Sequence, residues 1–370
     1  MLLTEHVISH LGELIIMQAF RDAGWFPETL REREETGVSI GAGMSSTYDL
    51  AHAGALVHQH KIRRISPFFV PRILVNSAAG AVSMAFSLHG PNHATSTACA
   101  TGAHAVGDAF KMIQRGDATV MLAGGTESCV DAIALAGFSR MKALSTRYND
   151  NPASASRPFD IQRDGFVLSE GAGVLVLENA SHAVSRGARI YCEILGYGMS
   201  GDAYHVTKPR EDGYGARLAM QRALDMSGVQ AQSVAYINAH ATSTPIGDAT
   251  ELQAIHKLFM RDHSCNKDVY VSSSKGAMGH LLGAAGSVEA AISCLTAFHR
   301  RAPPNVNLEQ TDIELQNQPE KHRGRLRLVT PDEPIEFGCP GQDLPMAVMS
   351  NSFGFGGTNT SLLFGSMTFQ

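Results

Sequence analysis

Cys99 stands in the run Thr95-Ser96-Thr97-Ala98-Cys99-Ala100-Thr101-Gly102-Ala103-His104. Its small neighbours permit a sharp strand-to-helix turn that exposes a side chain. A helix N-terminus offers unpaired N–H groups and a positive dipole end, which stabilise a thiolate. The same N–H groups can hold an oxyanion. The plainer alternative is a buried inert cysteine, the usual state of a free thiol. The other cysteines, at 129, 192, 265, 294 and 339, lack such surroundings and are expected to be buried small residues.

Two of the 16 histidines also sit where chemistry is done. His240 lies in Asn238-Ala239-His240-Ala241-Thr242-Ser243-Thr244-Pro245, straight after the apolar run Val234 to Ile237. His280 closes Ser274-Lys275-Gly276-Ala277-Met278-Gly279-His280, again after an apolar run and ahead of a glycine- and alanine-rich helix. Loops at the C-terminal ends of strands are where open α/β sheets place function. The run Asn351 to Asn359 carries Gly354, Gly356 and Gly357. It reads as a hairpin turn, because glycine supplies positive φ. The alternative is a loop whose backbone approaches a ligand closely.

Alternating elements must position these residues. Helix-like spacing covers residues 6–23, 71–88, 102–114, 214–226, 248–259 and 283–299. Strands are expected at 37–43, 119–123, 173–178, 188–197, 234–238, 269–273, 346–350 and 359–364. This alternation predicts mixed or parallel sheets covered by helices. Residues 303–345, with prolines, charges and weak periodicity, read as surface loops and short strands.

Composition narrows the classes. The chain has 370 residues, 44% of them hydrophobic and 18% charged, so it can bury a sizeable core or two. The net charge of −5 gives no global basic field of the kind nucleic acid requires. No apolar run reaches the length of a membrane span. Met1 to His6 lacks a basic region followed by an apolar run, so no secretory signal is expected there. No cysteine pair has CxxC spacing, and the scatter of thiols suits a reducing compartment.

Together these segments resemble the chain-elongating β-ketoacyl-[acyl-carrier-protein] synthases. The resemblance runs from about Gly37 to Phe364. Its marks are Ser66-Pro67-Phe68-Phe69-Val70-Pro71, Thr97-Ala98-Cys99, Arg157-Pro158-Phe159-Asp160, Arg163-Asp164-Gly165-Phe166-Val167, Asn238 to Asp248, Lys275 to Gly286, and Asn351 to Asn359. The runs Gly90 to Ala94 and Ala98 to Asp108 are most similar to the mitochondrial branch.

The resemblance implies a thiolase-like five-layered α/β/α/β/α fold with two pseudo-symmetric halves, residues 1–182 and 183–370. It implies a decarboxylative condensation between malonyl carrier protein and an acyl chain held on Cys99. His240 and His280 would serve the decarboxylation, organised by Lys275 and Glu289. The backbone N–H groups of Cys99 and Phe355 would form the oxyanion hole. Thr242 and Thr244 would bind the pantetheine arm. Met44, Phe138, Phe353 and Phe355 would line or gate the acyl pocket. Arg63, Arg64 and Lys142 would dock the acidic acyl carrier protein; their plainer reading is a solvated surface. No metal and no cofactor is implied beyond the phosphopantetheine of the substrate. A homodimer and a mitochondrial setting follow from the same resemblance, with the cytoplasm as the alternative.

The chain departs from the family in three places. Relatives carry an upstream segment whose strand is expected to be central, so this chain is expected to begin within a domain. Met278 stands where relatives usually have threonine. The stretch 311–345 matches poorly. A thiolase would need a second cysteine where Phe353-Gly354-Phe355-Gly356 stands. A non-catalytic partner subunit, or a truncated paralogue, is the rival of another class. Cys99 argues against it.

Overall fold

A computed structural model describes residues 14–260, 267–311, 326–337 and 346–365. Cys265, Cys339, residues 6–13 of the first expected helix and most of 311–345 lie outside the described residues. The chain divides into two compact units. Unit 1 comprises Met1–Met141, Ser169–Arg189 and Leu281–Val288. Unit 2 comprises Lys142–Leu168, Ile190–His280 and Glu289–Gln370.

Unit 1 holds a sheet of β1 (Thr36–Gly41), β2 (Asn92–His93), β3 (Val120–Glu127) and β4 (Gly171–Glu178), in the order β2-β1-β3-β4. β1 runs parallel to both neighbours, and β4 is antiparallel to β3. Ile16, Phe20, Val38, Ile40, Val120 and Leu122 form its core. Trp25 closes one end and donates from its indole to Thr36 Oγ1 at 3.2 Å.

Unit 2 holds β5 (Glu193–Gly201), β6 (Val234–Asn238), β7 (Val269–Ser272), β9 (Leu326–Leu328), β11 (Ala347–Gly354) and β12 (Thr358–Gly365). Their order is β5-β12-β11-β6-β7-β9. The short strands β8 (Arg301–Ala302) and β10 (Ile335–Glu336) pair separately. The sequence β7-β6-β11-β12 repeats, in order and direction, β2-β1-β3-β4 of unit 1. The two sheets therefore have similar topology, as expected. An absent central strand was also expected. Instead β1 pairs β3 directly over Thr36 to Gly41, with no central gap among the described residues. Two positions of unit 2 have no counterpart, and both are edges: β5 lies beside β12 and β9 beside β7, while nothing lies beyond β4 or β2 among the described residues.

Two expected elements shift for identifiable reasons. The helix expected over 71–88 breaks into Phe69–Ile73 and Ser77–Phe86. The Ser77 hydroxyl donates to the Pro71 carbonyl, which a continuous helix would give to the N–H four residues on. The strand expected at 188–197 lies at 193–201. Gly196 and Gly198 lie inside it. A Cβ on either would meet the carbonyl oxygen of Ala223 at 2.2 Å or of Ala219 at 2.0 Å, on the helix Tyr214–Ser227. Close backbone approach, and not strand termination, is why glycine stands there.

The loop after β6 is held by two carboxylates of the helix Pro245–Phe259. Glu251 accepts from the N–H groups of His240 at 2.9 Å and Ala241 at 2.7 Å, and from the Asn351 amide at 3.2 Å. Asp248 accepts from Phe159 N–H at 2.9 Å and Thr244 N–H at 3.2 Å. Burial pushes Glu251 up to about 7 and Asp248 up to about 6, against those hydrogen bonds. An acid whose folded pKa is raised makes the native state bind the proton more tightly. Its contribution therefore favours folding at low pH and is lost as pH rises towards the folded value. Stability should fall between about pH 4.5 and about pH 7 through Glu251, with a slope of at most about 1.4 kcal/mol per pH unit for one group. Glu251→Gln should flatten that part of a denaturation-versus-pH curve. An unchanged curve would show that Glu251 titrates normally.

Candidate active site

In unit 1, Cys99 lies just before the helix Thr101–Arg115. The turn is held locally. Ala100 and Thr101 N–H donate to the carbonyls of Thr97 and Ala98, both at 3.1 Å. Thr97 N–H donates to Thr101 Oγ1 at 2.8 Å. Ala98 has φ +50°, a left-handed conformation that costs a non-glycine residue about 1 kcal/mol or more. The strain sits on the residue before the cysteine, as a sharp strand-to-helix turn requires. Cys99 is 8% exposed, so it is neither sealed nor open. Cys129 behaves differently: burial, then the charge of Glu127, push its thiol far up, and it fits the inert reading.

Glu127, at the end of β3, is a residue the sequence did not single out. Its buried carboxyl accepts from Gly43 N–H at 3.0 Å, Met44 N–H at 3.3 Å, Gly283 N–H at 2.9 Å and the Cys129 thiol at 3.1 Å. Burial raises its pKa, and these donors oppose the rise. Glu127 thus fixes the backbone at Met44, one of the expected pocket residues. Phe138 lies on the helix Ala132–Arg140 and is half-buried. Arg63 and Arg64 form an exposed 3-10 turn and have no acidic partner among the described residues.

Unit 2 gathers the other expected residues. The rings of His240 and His280 lie 5.4 Å apart, nearly perpendicular. Phe353 meets His240 at 5.8 Å, and Phe166 meets His280 edge-on at 5.3 Å. His280 N–H donates to the Val167 carbonyl at 2.8 Å. The Arg163 to Val167 run therefore positions His280. Lys275 and Glu289 form an ion pair with both side chains fully buried. The Lys275 carbonyl accepts from Ser156 Oγ at 2.5 Å.

The electrostatics follow from burial. Desolvation first, and then the charge of Lys275, hold both imidazoles well below the usual histidine range; His280 adds to the effect on His240. Both rings are neutral at ordinary pH, so each carries one N–H to donate. Burial raises Glu289, and Lys275 opposes that.

Thr242 and Thr244 lie together, their hydroxyls 3.2 Å apart, with Ser243 between them at φ +68°. Asn351 to Asn359 forms the end of the β11-β12 hairpin, with positive φ at Gly356 and Gly357. Phe355 stands at its exposed tip. Gly356 N–H donates to the Val206 carbonyl at 2.6 Å, and Asp202 N–H donates to the Gly357 carbonyl at 2.8 Å. Lys142 is exposed, at φ +55°. The Arg157 to Asp160 run is an anchor: Asp160 pairs with Arg157 at 2.9 Å and accepts from Gln162, Glu309 and Gln310 N–H.

Comparison with known proteins supplies the frame. The family "Beta-ketoacyl synthase, N-terminal domain" matches residues 10–183, and "Beta-ketoacyl synthase, C-terminal domain" matches residues 191–309. A mitochondrial 3-oxoacyl-[acyl-carrier-protein] synthase of Arabidopsis thaliana is 54% identical over 350 residues, covering 95% of this chain and 72% of that protein. A 3-oxoacyl-[acyl-carrier-protein] synthase 2 of Rhizobium meliloti is 50% identical, covering 93% of this chain and 77% of that one. The crystal structure of a β-ketoacyl synthase from Burkholderia phymatum matches with a TM-score of 0.85 at 34% identity, over 98% of this chain and 83% of that one. The fold is the thiolase-like α/β fold. By sequence, topology and the cysteine and histidine segments alike, the chain belongs to the β-ketoacyl synthase family.

Proposed function

We propose that this protein is a 3-oxoacyl-[acyl-carrier-protein] synthase that elongates fatty acyl chains with malonyl carbon. The observation that carries this reading is the pair of buried, neutral imidazoles beside a buried lysine. First, the Cys99 thiolate attacks the thioester of an acyl carrier protein, and the carrier's thiol leaves. The sulfur-for-sulfur exchange is nearly isoenergetic, so it suits cysteine. Malonyl carrier protein then loses CO2, and the electron pair of the broken C–C bond passes into an enolate. N–H groups of His240 and His280 stabilise the enolate oxygen. The enolate carbon attacks the acyl carbonyl on Cys99, and the Cys99 thiolate leaves. The backbone N–H groups of Cys99 and Phe355 receive the tetrahedral oxyanion. Charged imidazolium would also donate, but its proton could quench the carbanion. Lys275 favours the neutral form.

Thr242 and Thr244 bind the pantetheine arm; the two adjacent hydroxyls support this. Met44, Phe138 and Phe353 line the acyl pocket, and Phe355 gates it from its exposed hairpin. No cofactor is needed beyond the substrate's phosphopantetheine. The nucleophile half spans residues 1–182 and the histidine half 183–370, near the boundary between the two family matches. The chain acts as a homodimer. Unit 1 exposes Tyr48, Val57, Ile62, Phe68 and Met84, apolar side chains that a second copy would cover. The setting is mitochondrial, as in the name of the Arabidopsis relative.

Three experiments test this reading. Decarboxylation needs the histidines but no thiolate. Cys99→Gln should release CO2 from malonyl carrier protein without condensation, while His280→Ala should lose both. Equal loss in the two variants would contradict this division of labour.

The second concerns charge. Lys275→Met with Glu289→Gln removes the ion pair without leaving a buried carboxylate unpaired. Histidine pKa values should then rise. The acid limb of the CO2-release profile should move to higher pH, since histidine protonation begins earlier on acidification. A limb that stays put would show that burial alone keeps the rings neutral.

The third concerns docking. Exposed charge acts mainly on association and is screened by salt. Reversing Arg63 and Arg64 to glutamate should raise KM for acyl carrier protein and flatten its salt dependence. Turnover of a small pantetheine thioester should hold. A parallel loss with both substrates would sink the docking role.

A further inference from the structure

A second polar site lies in unit 2, where the N-terminus of the helix Tyr214–Ser227 meets the last turn of the helix Pro245–Phe259. A cavity of about 420 Å³ is lined there by Asp212, Tyr214, Arg217, His256 and Lys257. The two helices approach closely because Gly213 intervenes at φ +64°. A Cβ there would meet Ala254 Cβ at 2.9 Å.

Among the described residues, the charges in this cavity do not balance. Arg210 pairs with Asp212 at 2.9 Å and lies over the Tyr214 ring at 5.2 Å. Asp212 is further engaged by Tyr214 N–H at 3.1 Å. Arg217 lies over the same ring at 5.4 Å and has no carboxylate partner among the described residues. Lys257 donates to the Asp212 carbonyl at 3.0 Å and acts on the Asp212 carboxylate as Arg210 does, so two cations share one acid. Among the described residues, three permanent cations thus lie in this region against one carboxylate, on which two of them already act. The first turn of the Tyr214–Ser227 helix adds its positive dipole end.

We propose that this cavity binds a small organic molecule through a phosphate group. A phosphate carries more than one charge and several acceptor oxygens, so it can satisfy Arg217 and Lys257 together. A single carboxylate would leave one cation unmatched. The cavity is larger than a bare phosphate needs, and the Tyr214 ring offers a flat wall for the organic part. The site is not isolated from the rest of unit 2. The segment 202–213 ends at the cavity, and at its other end Asp202 and Val206 hold the backbone of Gly356 and Gly357. An anion bound to Arg217 and Lys257 ties down one end of the segment that supports the glycine hairpin.

Calorimetry on the full chain tests this, with inorganic pyrophosphate and adenosine 3′,5′-bisphosphate as probes. Both should bind saturably. Arg217→Gln and Lys257→Gln should each weaken binding about tenfold or more, with melting temperatures unchanged. Tighter binding of the bisphosphate would assign the organic part to the Tyr214 wall. Equal affinity for both probes would contradict an organic ligand. Hydrogen exchange should slow at 203–213 and at 354–357 when pyrophosphate is present. Absence of saturable binding, or binding unchanged in both variants, would overturn the site. So would loss of acyl carrier protein binding in the variants without any pyrophosphate binding to the parent, which would make the cations part of a protein-docking surface. None of these readouts depends on condensation, so the site can fail while the condensing reading stands.

Discussion

Irregular backbone in a buried place must find partners for its N–H groups, and in this protein buried carboxylates supply them. Loops at the ends of parallel strands cannot use the sheet ladder, and water is excluded. Glu127 takes the N–H groups of Gly43, Met44 and Gly283. Glu251 takes those of His240 and Ala241. Asp248 takes those of Phe159 and Thr244. One carboxylate offers about four acceptor sites in a fixed plane, so it can pin two chain segments at once. The desolvation cost appears as raised pKa values at Glu127, Asp248 and Glu251. Asp160 shows the opposite balance. Burial works against its ionisation too, but Arg157 and three N–H groups outweigh it and hold its carboxyl below the usual range.

The Lys275–Glu289 pair belongs to a second class. It holds no loop N–H; its effect is on charge. A fully buried ion pair contributes little net stability, because the attraction barely repays desolvation. Its use here is to keep one positive charge near two imidazoles. Lys275 lowers both rings, while Glu289 offsets part of the cost of burying it.

Much of this was legible in the residues, because the signals were local. Cys99 stands just before a helix, and His280 between an apolar strand and a helix, as their neighbours in the chain suggest. His240 follows β6 directly. The glycine hairpin was legible because positive φ has few other solutions. The anchoring carboxylates were not legible. In a sequence, Glu127 at a strand's end or Glu251 within a helix reads as solvated surface, the common fate of acidic side chains. Only the partners reveal otherwise, and these are distant in the chain: Gly283 lies 156 residues from Glu127. Phe166 was part of a quoted run, yet its contact with His280 could not be read from spacing. The helices Thr47–His58 and Ala132–Arg140 went unread for another reason. Their exposed apolar residues, among them Tyr48, Val57 and Ile133, blur the periodicity that marks a helix with one buried face.

The matching order of the two sheets gives the placement of these residues a simple origin. β1 and β6 occupy equivalent positions; the first is followed by the Met44 loop and the second by the His240 loop. β2 and β7 are likewise equivalent; Cys99 follows one, and Lys275 and His280 follow the other. In both units the chain leaves the same end of the same strand and enters a loop and then a helix. One topology used twice thus carries the Cys99 segment in one copy and the Lys275 to His280 segment in the other. The difference lies in what each loop buries. The Cys99 turn is closed by its own hydroxyls and carbonyls. The His280 segment brings Lys275 with it, whose charge adds to burial in keeping the His240 and His280 rings neutral.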